Sequence, residues 1–291
     1  MAKARQIHKR RKAVTNIRKI TRTMQLIATA RFRAAFNRAM ATKPYTRKLS
    51  EMVEELSASA TAVDDPLLRD NPQAPADAVV VITSNRGLCG GYNTSVLAAA
   101  NEHLERVADR PTHVHVVGKK GISYFRFLGR EMRERITDID DRPKFERVEQ
   151  LARALMNDYR AGRLRSVHIA SMRFVSAGKQ VAEVVPLLPL SKPGAAVESA
   201  RGVQRTRQYD FSPAPDVLLA RLLPQSIKVR LFQRFTDAAV SEQVARMVAM
   251  KSATEAAEEM IKTLTRSYNR ARQTQITLEL LDIVGGAESL K

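Results

Sequence analysis

The sequence predicts an α/β fold with two parts: a long antiparallel coiled coil of the N- and C-terminal helices, plus a small Rossmann-like α/β domain. Two observations predict the coiled coil: residues 2–43 contain no Gly or Pro, and neither do residues 225–284. A third predicts the domain, because short apolar runs alternate with helical patterns between those segments. At about 1.5 Å per residue, the C-terminal segment would be roughly 90 Å long as one helix. We therefore expect that helix to project from the domain.

The N-terminal helix, assigned to residues 1–60, is predicted to supply one half of the coiled coil. Its apolar residues step by threes and fours until Arg31 interrupts them: Ala13, Ile17, Ile20, Met24 and Ile27. A shifted stripe then continues through Ala28, Phe32 and Ala35. Two ordinary amphipathic helices folded onto a core are the alternative interpretation. Helices of this length would overhang such a core, which favours the coiled coil.

The middle of the chain, residues 76–191, is predicted to be an α/β domain with a largely parallel sheet. Its predicted strands are Ala78–Thr83, His113–Val117, Ser166–Met172 and Val181–Leu188. Helices are predicted from the loop after the first strand to about Val107, after the turn at Gly118–Gly121, and over Phe145–Ala161. Proline-containing linkers at 64–75 and 192–215 bound the domain.

The C-terminal helix, within residues 216–291, carries the clearer seam. Pro224 marks its start or a kink, so a continuous helix is predicted only from Gln225. The seam steps by threes and fours, as a coiled coil requires: Met247, Met250, Thr254, Ala257, Ile261, Leu264, Tyr268 and Ala271. The end of the helix is apolar on nearly all sides, a pattern typical of buried helices: Ile276, Leu278, Leu280, Leu281, Ile283 and Val284.

The composition indicates a soluble chain of 291 residues with no apolar run long enough to span a membrane. Most of the net charge of +19 belongs to the N-terminal helix, because 15 Lys and Arg precede the first acidic residue, Glu51. A nucleic acid, a cleaved organellar presequence and an acidic protein partner would each explain such a segment. The presequence is disfavoured because the same residues carry the seam. An acidic protein partner is favoured over nucleic acid because few aromatics accompany the charge.

The loop Ser84–Asn93 is rich in glycine but matches neither the dinucleotide-binding nor the P-loop pattern. A tight turn between strand and helix accounts for its glycines. Cys89 is the single cysteine, and no nearby histidine pairs with it as a base. The five histidines lack metal-ligand spacing. We therefore predict no catalysis, no cofactor and no metal. A Rossmann-like enzyme using Gly90 and Gly91 is the opposing hypothesis.

The chain resembles the gamma subunit of F-type ATP synthases. Separated motifs in the same order carry the resemblance: Lys19–Arg31, Ser84–Asn93, Ser241–Met250, Tyr268–Gln273 and Ile276–Ala287. The resemblance implies a non-catalytic central rotor shaft that couples proton flow to conformational change at the catalytic beta subunits. It implies alpha, beta, epsilon and membrane rotor-ring subunits as partners, one copy per complex, and a peripheral place on the cytoplasmic side of the cell inner membrane. A basic coiled-coil nucleic-acid-binding protein stays the alternative.

The resemblance also implies particular contact residues. Met24 and Arg246 would meet the moving domain of beta, and Arg272 and Gln273 would hydrogen-bond an acidic loop of beta. Thr277 and Glu279 would support those two. The apolar tip, Ile276 to Val284, would turn inside an apolar sleeve of the alpha and beta ring. Tyr209 and Phe211 would touch the membrane rotor ring.

Overall fold

A computed structural model of the chain describes residues 2–59, 65–190 and 215–288. The chain forms two compact units, the first made of Met1–Ala30 with Arg246–Lys291 and the second of Arg31–Ala245. We call them the coil unit and the sheet unit. Two long helices contribute residues to both: α1, Ala2–Ser59, and, at the other end of the chain, a helix over Pro215–Glu288. The predicted domain limits of 1–60, 76–191 and 216–291 stay predictions.

The coil unit pairs the two long helices in antiparallel fashion, which confirms the predicted fold class. Thr254 donates a hydrogen bond of 2.8 Å to Thr21, with both hydroxyl groups buried. Arg11 lies over the ring of Tyr268, with 5.1 Å between the guanidinium carbon and the ring centroid. Residue numbers fall along α1 as they rise along the partner helix, so the two helices run in opposite directions.

The seam predicted for the C-terminal helix is confirmed. Met250, Thr254 and Ala257 are buried, and the later positions are half-buried: Ile261, Leu264, Tyr268 and Ala271. The steps of four and three along these residues keep one face of the helix against its partner.

The seam predicted for α1 is wrong in its first part. Ile17, Ile20 and Ile27 are about half exposed, and Ala13 is exposed too, so of that stripe only Met24 is half-buried. The buried and half-buried face runs instead through mostly small or polar residues, with two larger apolar ones: Ala4, Ile7, Arg11, Val14, Arg18, Thr21, Gln25 and Ala28. Small side chains let the two helices approach closely, and the Thr21–Thr254 hydrogen bond satisfies the polar atoms that this approach buries. The shifted stripe of Ala28, Phe32 and Ala35 is confirmed.

The sheet unit contains a five-stranded sheet in the order β3-β2-β1-β4-β5. Its elements are β1 Ala76–Ile82, α2 Tyr92–Arg106, β2 Thr112–Val117, α3 Lys119–Phe127, β3 Glu134–Ile136, α4 Phe145–Arg160, β4 Leu164–Ser176 and β5 Lys179–Leu188. The long C-terminal helix follows as α5. Neighbouring strands are parallel except β4 and β5, which confirms the largely parallel sheet. The sequence analysis missed β3 because it is three residues long, with the charged Glu134 and Arg135 among them.

Apolar cores cover both faces of this sheet. Side chains of α2 and α3 pack on one face, around Val79 and Val81 of β1. On the other face, α4, the end of α1 and the start of α5 pack around Val80 and Ile82. A smaller cluster joins the two long helices to Phe174 of β4.

Helix α5 begins ten residues earlier than predicted, at Pro215, with Pro224 inside it. Proline removes one backbone hydrogen bond from a helix, which is why the sequence predicted a boundary there. Burial of apolar side chains on both sides of Pro224 offsets that cost, since four of them are completely buried in the sheet unit: Leu219, Leu223, Ile227 and Leu231. None of the helices in the described ranges combines the length and apolar character needed to cross a bilayer.

Candidate partner-binding surfaces

The C-terminal turns of α5 present an apolar surface that the described chain leaves uncovered. All six predicted tip residues are at least half exposed, from 50% at Ile276 to 72% at Ile283. From Ile276 to Gly285, every described side chain is exposed, whereas Gln275 is still half-buried. Contiguous exposed apolar surface marks an interaction site in soluble proteins. The tip is therefore a candidate binding surface.

Polar residues adjoin the tip on the same helix. Arg272 and Gln273 are exposed. Thr277 donates its hydroxyl to the backbone carbonyl of Gln273 at 3.0 Å, and Glu279 accepts a hydrogen bond from Gln275 at 2.8 Å. Both of these bonds lie within the helix. The exposed guanidinium of Arg272 and the exposed amide of Gln273 form a hydrogen-bonding surface beside the tip.

The other two predicted contact residues lie elsewhere in the coil unit. Met24 is half-buried on α1. Arg246 is only 7% exposed and interacts with other groups of this chain. Arg246 and Arg272 are 26 positions apart on α5, which is roughly 39 Å along a helix. The structure thus brings Arg272, Gln273, Thr277 and Glu279 together but places Met24 and Arg246 at a separate level. Tyr209 and Phe211 lie outside the described residues.

An exposed apolar stripe on α1 is the surface that the sequence analysis missed. Ile17, Ile20 and Ile27 were assigned to the seam, yet they face outward together with Leu26. A strict seven-residue repeat could have revealed the true register, because its members are all buried or half-buried: Ile7, Val14, Thr21, Ala28, Ala35, Thr42, Leu49 and Leu56. A search for apolar residues alone overlooks that repeat, since threonine and alanine fill its centre.

Basic side chains border this stripe. Lys12, Lys19 and Arg22 are exposed on α1, as are Lys9 and Arg10 nearer its start. An exposed row of positive charges attracts acidic partners over several ångströms. The outward face of α1 therefore combines apolar area with positive charge.

The glycine-rich loop of the sheet unit uses its polar groups within the protein. Asn93 accepts a hydrogen bond of 3.0 Å from the backbone N–H of Ser84, and Ser84 donates to the carbonyl of Arg86 at 2.6 Å. Asn85 reaches the carbonyl groups of Thr137 and Ile139. The loop thereby joins β1 to the segment after β3, a structural use of the motif.

Buried and half-buried polar side chains also meet at the opposite end of the strands, where β1 and β4 begin. Ser166 donates to Asp77 at 2.6 Å, and the Nδ1 atom of His168 lies 3.2 Å from the same hydroxyl. The rings of His103 and His168 are in contact, with 4.4 Å between their centroids and 46° between their planes. Burial is the main cause that lowers the pKa of His168 to about 4, and electrostatic repulsion from the neighbouring His103 is the second. Asp77 acts in the opposite direction and raises this pKa. Because Ser166 gives its proton to Asp77, this group lacks the order of a catalytic triad. No cluster of three or more metal-ligating acidic, His or Cys side chains occurs in the described ranges.

Comparisons with known proteins relate the whole chain to one protein family. The sequence profile described as ATP synthase matches residues 3–290. An ATP synthase gamma chain from Rhodopirellula baltica is 43% identical over 295 residues, covering 100% of both chains. One from Leptospira biflexa is 39% identical over 292 residues, again covering 100% of both.

Solved structures agree on the fold. A chain of the Euglena gracilis mitochondrial ATP synthase, from a structure of OSCP, F1 and the c-ring, matches with a TM-score of 0.70 at 20% identity. The match covers 99% of this chain and 95% of that one. A chain from the rotor of the same enzyme matches with a TM-score of 0.65 at 19% identity, covering 94% and 99%. Profile, relatives and fold agree along the whole length, and the chain belongs to the ATP synthase gamma chain family.

Proposed function

We propose that this chain is the central rotating shaft of an F-type ATP synthase, coupling proton flow through the membrane sector to conformational change at the catalytic beta subunits. The observation that carries the proposal is the exposed apolar end of α5, which continues an antiparallel coiled coil with a buried seam. Partners would be the alpha and beta subunits of the head, the epsilon subunit and the membrane rotor ring. The chain would be a non-catalytic subunit, peripheral to the membrane on its cytoplasmic side.

The geometry suits a bearing at the tip. Apolar contact is non-directional, so an apolar helix end can stay covered by a sleeve while it turns. Directional contacts would come from the adjoining polar residues, because hydrogen bonds depend on angle. Arg272 and Gln273 would meet an acidic loop of beta once in each pass. Met24, Arg246 and the outward stripe of α1 would contribute at the lower level.

The stiffness of α5 supports the same role. Residues 225–284 contain neither Gly nor Pro, the residues that most often bend or weaken a helix. Torque applied to one end of such a helix is transmitted to the other with little local bending.

The proposal is tested by reconstituting the tagged full chain with alpha and beta subunits of a close relative. We expect a complex that hydrolyses ATP and turns the shaft, while the chain alone hydrolyses none. Removing the residues after Gln275 is expected to weaken assembly without abolishing it, because the coil below still offers contacts. Failure to capture alpha and beta, together with salt-sensitive binding of DNA or RNA, would replace the rotor proposal by the nucleic-acid alternative.

Surface substitutions sharpen this test. Changing Ile276, Leu278 and Ile283 together to serine removes apolar area from the tip and keeps the helix length. A matched control changes Val217, which is exposed at the start of α5, to serine. We expect the tip variant to lower the affinity for the alpha and beta subunits and the control to leave it unchanged. Equal affinities would show that the tip has no role in assembly.

A further inference from the structure

Three polar contacts hold α5 within the sheet unit, each to a different element. Lys228 reaches Glu149 of α4 at 2.8 Å. Arg234 reaches Glu183 of β5 at 2.5 Å. Further along, Gln243 donates to Asp141, in the segment after β3, at 3.2 Å. We call Glu149, Glu183 and Asp141 the anchor carboxylates.

Two of the anchor carboxylates, Glu149 and Glu183, are also bound by a second cation. Arg153 binds Glu149 at 2.8 Å, and Arg173 binds Glu183 at 2.9 Å. Burial opposes ionisation of Glu183, yet the hydrogen bonds from Arg234 and Arg173 keep its pKa below the usual value. The carboxylate therefore stays charged at neutral pH and holds both arginines. In the Arg234–Glu183 pair the two side chains are 24% and 23% exposed, and partly buried pairs are screened by salt less than exposed pairs.

The third anchor joins both long helices. Asp141 accepts hydrogen bonds from Gln243 of α5 and, at 3.0 Å, from Arg31 of α1. Arg38 of α1 adds a longer bond of 3.4 Å to the backbone carbonyl of Asp141. Gln243 is 1% exposed, whereas the side chains of Asp141 and Arg31 are 19% and 39% exposed, so this contact is partly buried. One side chain thus ties two helices to the segment that follows β3.

The anchored residues point in different directions around α5. At 3.6 residues per turn, Arg234 lies roughly 240° from Lys228 around the helix axis, and Gln243 lies roughly 60° from Lys228. Apolar packing of Leu219 and Leu231 fills space but is non-directional. Anchors distributed around the axis oppose rotation of the helix in either sense.

We propose that Glu149, Glu183 and Asp141 lock α5 against rotation about its own axis, making them positioning residues for torque transfer from the sheet unit into the shaft. This inference rests on the proposed function. If the sheet unit receives torque from membrane subunits, the anchors are where that torque enters α5. Asp141 would apply the same constraint to α1 through Arg31, so both strands of the coil would be turned together.

The test uses the complete enzyme with the substitutions Asp141→Asn, Glu149→Gln and Glu183→Gln combined, which keep side-chain size and remove charge. With the head immobilised and stalled, a probe on the rotor ring reports thermal fluctuation in angle. We expect the angular variance to rise roughly twofold, because the polar contacts that restrict rotation are weakened by the loss of charge while non-directional packing remains. The matched control is Glu102→Gln, which removes an exposed pair with Arg106 on α2 and should leave the variance unchanged.

A second measurement separates torque transfer from stability. If the three carboxylates only stabilise the fold, the melting temperature falls while the angular variance of intact complexes equals that of the wild type, and the inference is overturned. Should the triple variant not fold, Glu183→Gln and Arg234→Gln are compared singly and together, and a shared effect on variance supports the anchor. Independent, additive effects would contradict it. A wild-type chain that forms no rotating complex would instead refute the proposed function itself.

Discussion

The adjacent histidines of the sheet unit, His103 and His168, predict that the stability of this unit falls in mild acid. Burial lowers the pKa of His168 from 6.5 to about 4, and the pKa of His103 is also lowered, chiefly by burial. The folded state therefore resists protonation of these rings, while the unfolded chain accepts protons below about pH 6.5. The contribution of these neutral rings to the free energy of unfolding is fully present above that pH and is lost progressively as the pH falls toward 4.

The magnitude follows from the two pKa values of His168. A shift from 6.5 to about 4 corresponds to ~3 kcal/mol in total. At pH 5 about 2 kcal/mol of this has been lost, because the unfolded side chain is almost fully protonated and the folded one is mostly neutral. Arg106 adds to the effect, and Asp77 reduces it by favouring the charged ring.

The assay is urea unfolding of the full chain at pH 7.5 and pH 5, followed by circular dichroism. In His168→Gln the loss of stability between the two pH values should be smaller than in the wild type by about 2 kcal/mol. An NMR titration that places the pKa of His168 near 6.5, or equal pH dependence in His168→Gln and wild type, would refute the reasoning.

Three further predictions concern packing. Gly121→Ala should lower the free energy of unfolding by about 2 kcal/mol, because the added Cβ would lie 2.7 Å from the Thr83 hydroxyl; an unchanged urea midpoint would show that the neighbours yield. Thr254→Val should destabilise the chain by about 1 kcal/mol through loss of the buried bond to Thr21, as thermal melting can measure. Ile20→Gln should alter stability by no more than about 0.5 kcal/mol, since Ile20 is 59% exposed; a loss like that of a core residue would restore Ile20 to the seam.

Much of the fold was predictable from local patterns. The absence of Gly and Pro over residues 2–43 and 225–284 predicted two long helices, and short apolar runs predicted four of the five strands. Backbone propensity and apolar periodicity suffice where a segment is long and regular. The motifs that resemble those of gamma subunits also indicate the family without any tertiary information.

Other features depended on contacts distant in sequence. A helical stripe shows which residues share a face but not which face meets a partner, and α1 has two competing faces. Close approach at Thr21 and Ala28 selected the face with small residues and left Ile20 outward. Strand β3 is too short to show a pattern, and its pairing with β2 defines it.

The candidate site divides in the same way. The apolar tip and its polar neighbours could be predicted from the sequence, because side-chain chemistry alone shows that such an apolar helix end requires a binding partner. The exposure of these residues, the burial of Arg246 and the joining of α1 and α5 through Asp141 are not, because each depends on residues about a hundred or more positions apart. The sequence by itself determined the long helices, their chemistry and the family. Tertiary structure decided the seam of α1 and the anchors of α5, because only packing chooses among faces that local periodicity leaves equivalent.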